Sequence, residues 1–222
     1  MSMSINSQNG ITIRRAHLSD IPYLLKICRK CFSRIQWRGV SSYVRPWWQA
    51  AITSEAADVC VAQYKGRVIA FAVLVKDEEL WRKQKKRGEG PFMSHLLSCI
   101  VCPVLTFKAL CIKVARLMVG NEDQLQSSIG MSYKRTWLEI LAVMPREQGR
   151  GIAKLLLCEC ESLTKNEGCD AIRLMVTKSN KRAIRLYKKM GYQKTTENSE
   201  GEFYMKVLNS GCQVGIVSNS EN

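Results

Sequence analysis

The stretch LEILAVMPREQGRGIAKLLL, residues 138–157, decides how the chain is read. Residues 136–143 read as a strand, followed by a short loop, Met144 to Gln148. Gly149 and Gly151 then open a segment to about Lys165 in which Ile152, Leu155, Leu156, Cys160 and Leu163 recur at helical spacing. Glycine lets a backbone approach a ligand with no Cβ in the way. The first N–H groups of a helix lack partners within it and sit at the positive end of its dipole, so such a junction binds anions. Arg146, Arg150 and Lys154 add positive charge around it. By this logic the loop is a cradle for a diphosphate. It is not a P-loop, because G-x-x-x-x-G-K-[ST] is absent, and the dinucleotide fingerprint fails at its third glycine, where Lys154 stands.

Working outward, residues 171–177 read as a strand and 180–190 as a basic helix ended by Gly191. In SNKRAIRLYKKMGYQ, residues 179–193, Asn180 and Tyr187 are separated by about two helical turns and share a face. Residues 192–195 and 202–208 read as two short strands. Upstream, 11–16 is a strand, and a helix capped by Ser19 or Asp20 runs to 32 with Pro22 in its first turn. A second helix covers 43–53. Residues 58–64 and 67–76 form a hairpin about Lys65-Gly66.

Arg146-x-x-Gly149-x-Gly151 and Asn180-x-x-Ala183-x-x-x-Tyr187-x-Lys189-x-Gly191-Tyr192 together resemble the two motif blocks of the GNAT superfamily of acetyl-CoA-dependent N-acetyltransferases. The order of elements resembles it too, over 11–76 and 131–208. The resemblance implies an α+β fold, a mostly antiparallel mixed sheet of about seven strands flanked by helices, in one domain spanning 11–208. It implies acetyl-CoA as the acyl donor, with no metal. Leu141, Ala142 and Val143 would offer backbone groups to the pantetheine arm and the acetyl carbonyl. Arg146, Gln148, Gly149, Arg150, Gly151, Ile152, Ala153 and Lys154 would hold the diphosphate. Asn180, with Ala183 in the same block, would contact the cofactor arm, and Tyr187 would sit near the thioester sulfur as general acid. Read from the residues alone, Asn180 is a helix cap and Tyr187 a half-buried aromatic. Direct attack by an amine needs no nucleophilic Ser or Cys, but it does need a base. Glu139 is the candidate, on a strand where alternation places it on the face of Leu141 and Val143. It serves equally well as a group that orients a cationic substrate or points to solvent.

Residues 77–130 depart from a minimal member of the family: a charged stretch, then an apolar one. The uncharged part, 91–107, is interrupted by Pro91, His95 and Pro103, and falls short of the roughly 20 apolar residues of a membrane span. From 104 to 119, Lys108, Lys113 and Arg116 share one sector of a helix. That pattern fits peripheral membrane contact through 92–119, or a helix covering the domain's own core or a homodimer partner. The insertion falls near where an acceptor enters. It resembles those of superfamily members in surface-polysaccharide biosynthesis, which implies a small-molecule amine or amino-sugar acceptor. A protein lysine or N-terminal amine, and a non-catalytic acyl-CoA-binding module, are the other readings.

The 222 residues are 46% hydrophobic and 24% charged, which excludes wholesale disorder. Lys+Arg 34 against Asp+Glu 19 leaves +15, a bias toward anionic partners. No nucleic-acid motif accompanies it. The opening MSMSINSQNG has no apolar signal region, so the ten cysteines read as buried thiols of a cytoplasmic protein. Cys28-x-x-Cys31 and Cys99-x-x-Cys102 have zinc spacing without turn-forming flanks, and His17 and His95 have no motif around them. The tails, 1–10 and 209–222, are expected to be loose.

Overall fold

The computed structural model describes residues 7–8, 10–32, 41–88 and 134–208. Strands are β1 (Ser7–Gln8), β2 (Ile11–Arg15), β3 (Ala57–Tyr64), β4 (Arg67–Val75), β5 (Arg135–Val143), β6 (Ala171–Val176), β7 (Gln193–Glu197) and β8 (Glu202–Val207). Helices are α1 (Ile21–Cys31), α2 (Ser41–Thr53), α3 (Glu78–Gly88), α4 (Ile152–Asn166) and α5 (Lys181–Lys189). The strands form one sheet in the order β1-β2-β3-β4-β5-β6-β8-β7, antiparallel throughout except for the parallel pair β5–β6. Seven of them match the expected sheet, and the two-residue β1 adds an edge within residues 1–10.

The hairpin turns where the sequence places it. Lys65 and Gly66 both have positive φ (47° and 76°), the backbone that a tight two-residue turn between twisted strands requires. β4 is buried from Val68 to Val75 because both its faces are covered. Ile69, Ala70, Ala72 and Leu74 join a core with Leu156, Leu157 and Cys160 of α4 and Ile184 of α5. Val68, Phe71, Val73 and Val75 join Leu24, Ile27 and Cys28 of α1 and Trp48 of α2 on the other side. Thr136 and Thr164 share a buried hydroxyl bond of 2.7 Å, and the Thr164 hydroxyl also donates to the Cys160 carbonyl, which fastens α4 beneath β5.

The first helix of the insertion, α3, is part of the domain rather than an appendage. Trp81 is buried, and its ring lies 5.7 Å from Trp47 of α2. The rest of the insertion, with His95, Cys99, Cys102 and the proposed amphipathic helix at 104–119, lies outside the described residues, as does the tail from 209. Among the described residues Cys28, Cys31, Cys60, Cys158, Cys160 and Cys169 are free thiols. No group of three His, Cys, Asp or Glu able to hold a metal occurs among the described residues. No described helix is long and apolar enough to cross a membrane.

Of the two caps expected, Ser19 or Asp20, Asp20 takes the N-cap position of α1. Its carboxylate does not bond the helix backbone. It instead accepts two bonds from the Arg14 guanidinium (2.7 and 2.9 Å) and one from the His17 N–H (2.8 Å), joining β2 to the entry of α1. Burial opposes the charge on Asp20, but these bonds outweigh it and lower its pKa. A carboxylate whose pKa is depressed in the folded state contributes stability above its unfolded value and loses it as pH falls through the folded one. The urea midpoint of the protein is therefore expected to drop on acidification below about pH 4. Asp20→Asn should lower the midpoint at neutral pH and flatten that acid slope.

Candidate active site

The parallel pair separates partway along. β5 and β6 are in register from Arg135↔Ala171 to Leu138↔Leu174, and no pairing is made beyond that. β5 continues to Val143, paired only with β4. The Met144 N–H donates to the Ile69 carbonyl at 2.9 Å. Alternation then turns the backbone groups of Val143 and Leu141 away from β4, into the opening where β6 has left. Ala142, expected to offer its backbone with them, turns it toward β4, opposite Phe71.

The register of β4 against β5 shifts between Val73 and Leu74, whose partners are Ile140 and Leu138. Glu139 is thus the extra residue of a bulge. This corrects the expectation that Glu139 shares a face with Leu141 and Val143. Leu138, Leu141 and Val143 join the core over α4, whereas Trp137 and Ile140 join the opposite one. Glu139 goes with Trp137, whose indole N–H donates to its Oε2 at 2.9 Å. An inserted residue breaks strict alternation, and nothing in the local sequence announces it.

At the end of β5 a 3-10 turn (Pro145–Glu147) leads into the glycine loop. Gly149 and Gly151 have φ of 91° and 77°, and α4 starts only at Ile152, with Gly151 as its N-cap. Gly151 has no heavy atom within 4 Å of where a Cβ would stand, so the space over the helix start is open. Ile152 is buried and Ala153 packs on the core, leaving the N–H groups of the first turn to face the opening. Arg146 and Lys154 are exposed there. Arg150 is already engaged: it forms an ion pair with Glu147 and lies 4.5 Å above the Tyr64 ring.

Gln148 braces the loop. Its Nε2 donates to the Val143 carbonyl at 3.0 Å, and its Oε1 accepts from Arg182 of α5 at 2.6 Å. The same carbonyl accepts from the Cys31 thiol at 3.2 Å. Tyr64, Arg182 and Cys31 escaped the sequence reading because each reaches the loop from a distant segment.

Asn180 caps α5, its Oδ1 accepting from the Ala183 N–H at 3.1 Å. One turn and more further on, Tyr187 is buried, with its ring 5.7 Å from Tyr192 and 6.5 Å from Tyr204. Burial, with a smaller contribution from Cys160, pushes its phenol up to about 12. Tyr187 therefore holds its proton throughout the neutral range. A split strand pair, an open helix N-terminus and a protonated phenol from α5 are thus gathered on one side of the sheet.

Comparison with known proteins follows the same lines. Residues 113–192 match the Acetyltransferase (GNAT) family. A thialysine N-epsilon-acetyltransferase from Mus musculus is 40% identical over 68 residues, which is 31% of this chain and 39% of that protein. The chain therefore spans well under half the length of this relative. PaiA N-acetyltransferase from Thermoplasma acidophilum, solved in complex with coenzyme A, superposes with a TM-score of 0.51 at 16% identity, over 89% of this chain and 98% of that one. YncA from Salmonella typhimurium, solved with acetyl-CoA, gives 0.53 at 15% identity over 92% and 98%. These structures share the fold. The glycine loop, its helix and the Asn180 to Tyr192 block all lie within residues 113–192, the part of the chain that matches the acetyltransferase (GNAT) family.

Proposed function

We propose that this chain is an N-acetyltransferase that moves the acetyl group of acetyl-CoA to a primary amine of a small molecule. The observation that carries the reading is the split of β5 from β6 directly above the glycine-opened N-terminus of α4. An extended arm fits along the freed edge of β5, and a diphosphate fits the helix start, where Gly151 leaves the space open. The backbone groups of Leu141 and the N–H of Val143 would pair with the arm. The N–H groups from Gly149 to Lys154 would hold the diphosphate, with Arg146 nearby. Acetyl-CoA supplies the activated acetyl group, the amine nitrogen forming the new C–N bond as the C–S bond breaks and the thiolate leaves.

The chain's own residues handle the protons. In this reading Glu139 takes the proton that the amine sheds. Tyr187 donates its O–H toward the departing sulfur. A phenol near 12 does not fully surrender its proton to a thiolate of ordinary pKa, near 8.5. Its contribution is therefore a strong hydrogen bond to the developing negative charge more than a completed transfer. The relatives named for thialysine direct the first acceptor screen to amines on a flexible aliphatic arm, with amino sugars beside them.

Acetyl-CoA and free CoA should each raise the melting temperature and ATP should not, since only a ligand of the native state stabilises it. An absence of any shift in folded protein would retire the proposal. Tyr187→Phe is expected to cut turnover about 100-fold at unchanged cofactor affinity; unchanged turnover would remove Tyr187 from the mechanism. Gly151→Ala meets no neighbour but forces a side chain into left-handed backbone. It should cost about 1–2 kcal/mol in urea unfolding and weaken CoA binding measured by calorimetry.

A further inference from the structure

We infer that Trp137 is a positioning residue that holds Glu139 toward the acceptor. The inference rests on the reading of Glu139 as the base. The Glu139 carboxylate sits at a bulge, where the strand ladder no longer sets the direction of a side chain. The Trp137 indole N–H, donating to Glu139 Oε2 at 2.9 Å, fixes it instead. A rigid ring makes a good bracket only if the ring itself is held, and this one is held from two further strands. Trp137 stands opposite Arg173 across the parallel pair. The Arg173 guanidinium lies 5.5 Å from the Trp137 ring and 4.8 Å from that of Phe203 on β8, and the two rings are 6.2 Å apart. Those separations are within the range of cation–π and aromatic contact. The stack therefore runs from β8 through β6 to β5 and ends on the carboxylate. The other edge of the indole packs among the residues of the core that contains α1 and α2. These contacts hold the ring, and its N–H donates to Glu139.

The test uses the full chain with saturating acetyl-CoA and the best amine from the acceptor screen. Trp137→Phe keeps an aromatic ring beside Arg173 and Phe203 and deletes the N–H together with the second ring of the indole. It is expected to lower kcat between about 10- and 100-fold, the scale of a misplaced reacting group, at unchanged CoA affinity. Glu139→Gln supplies the second background. If Trp137 acts through Glu139, Trp137→Phe has no further effect on the residual turnover of Glu139→Gln. Wild-type kcat in Trp137→Phe, with Glu139→Gln inactive, overturns this inference alone. An equal loss from Trp137→Phe in both backgrounds also overturns it, because the ring then acts by packing. Full activity in Glu139→Gln overturns the base assignment and takes the inference with it.

Discussion

The organisation of this protein depends on one strand pair that starts parallel and then comes apart. Backbone N–H and C=O groups in a sheet need partners, and a central strand that loses its neighbour must find others. β5 keeps β4 along its whole length and gives up β6 after Leu138. The freed edge at Leu141 and Val143 is the consequence, and the fold meets part of the cost with side chains. The Val143 carbonyl accepts from both Gln148 and Cys31. A strand edge left free for a ligand is thereby braced from the loop on one side and from α1 on the other.

The remaining parts converge on that opening because short connections bring them there. The loop follows directly from the end of β5, so the N-terminus of α4 lies beside the freed edge. β6 returns parallel to β5, and α5 follows it, which sets Asn180, Ala183 and Tyr187 at the same end of the sheet. Arg182 closes the arrangement by reaching from α5 to Gln148. Its charge, like that of Arg150, is partly committed to holding the loop, so the basic surplus of the chain overstates what is free to meet an anion. Glu147, paired with Arg150, tempers it further.

Much of this was legible from residues alone. The hairpin about Lys65-Gly66 follows from a turn pair that accepts positive φ, and β3 and β4 follow from β-branched runs on either side. The helices α1, α4 and α5 follow from apolar residues recurring at helical spacing. The glycine loop was legible because its geometry is local: two glycines, which adopt left-handed backbone, at a helix start. Tyr187 was placed on the Asn180 face by helical geometry. Asp20 does take the N-cap position of α1, but its carboxylate serves Arg14 and the His17 N–H in place of the helix backbone.

The sequence by itself determined most of the elements, the glycine-opened start of α4 and the Asn180 cap of α5, since each rests on interactions within a turn or a strand. Tertiary structure alone decided the rest. The bulge at Glu139 exists only in the register of β5 against β4, and it moves the carboxylate to the face of Trp137. The network of Arg182, Gln148, Val143 and Cys31 joins four segments that are remote in the chain. The stack of Phe203, Arg173 and Trp137 forms only when three strands lie side by side. Periodicity describes what a segment does with its own neighbours, whereas a site of this kind is assembled from groups that become neighbours only through folding.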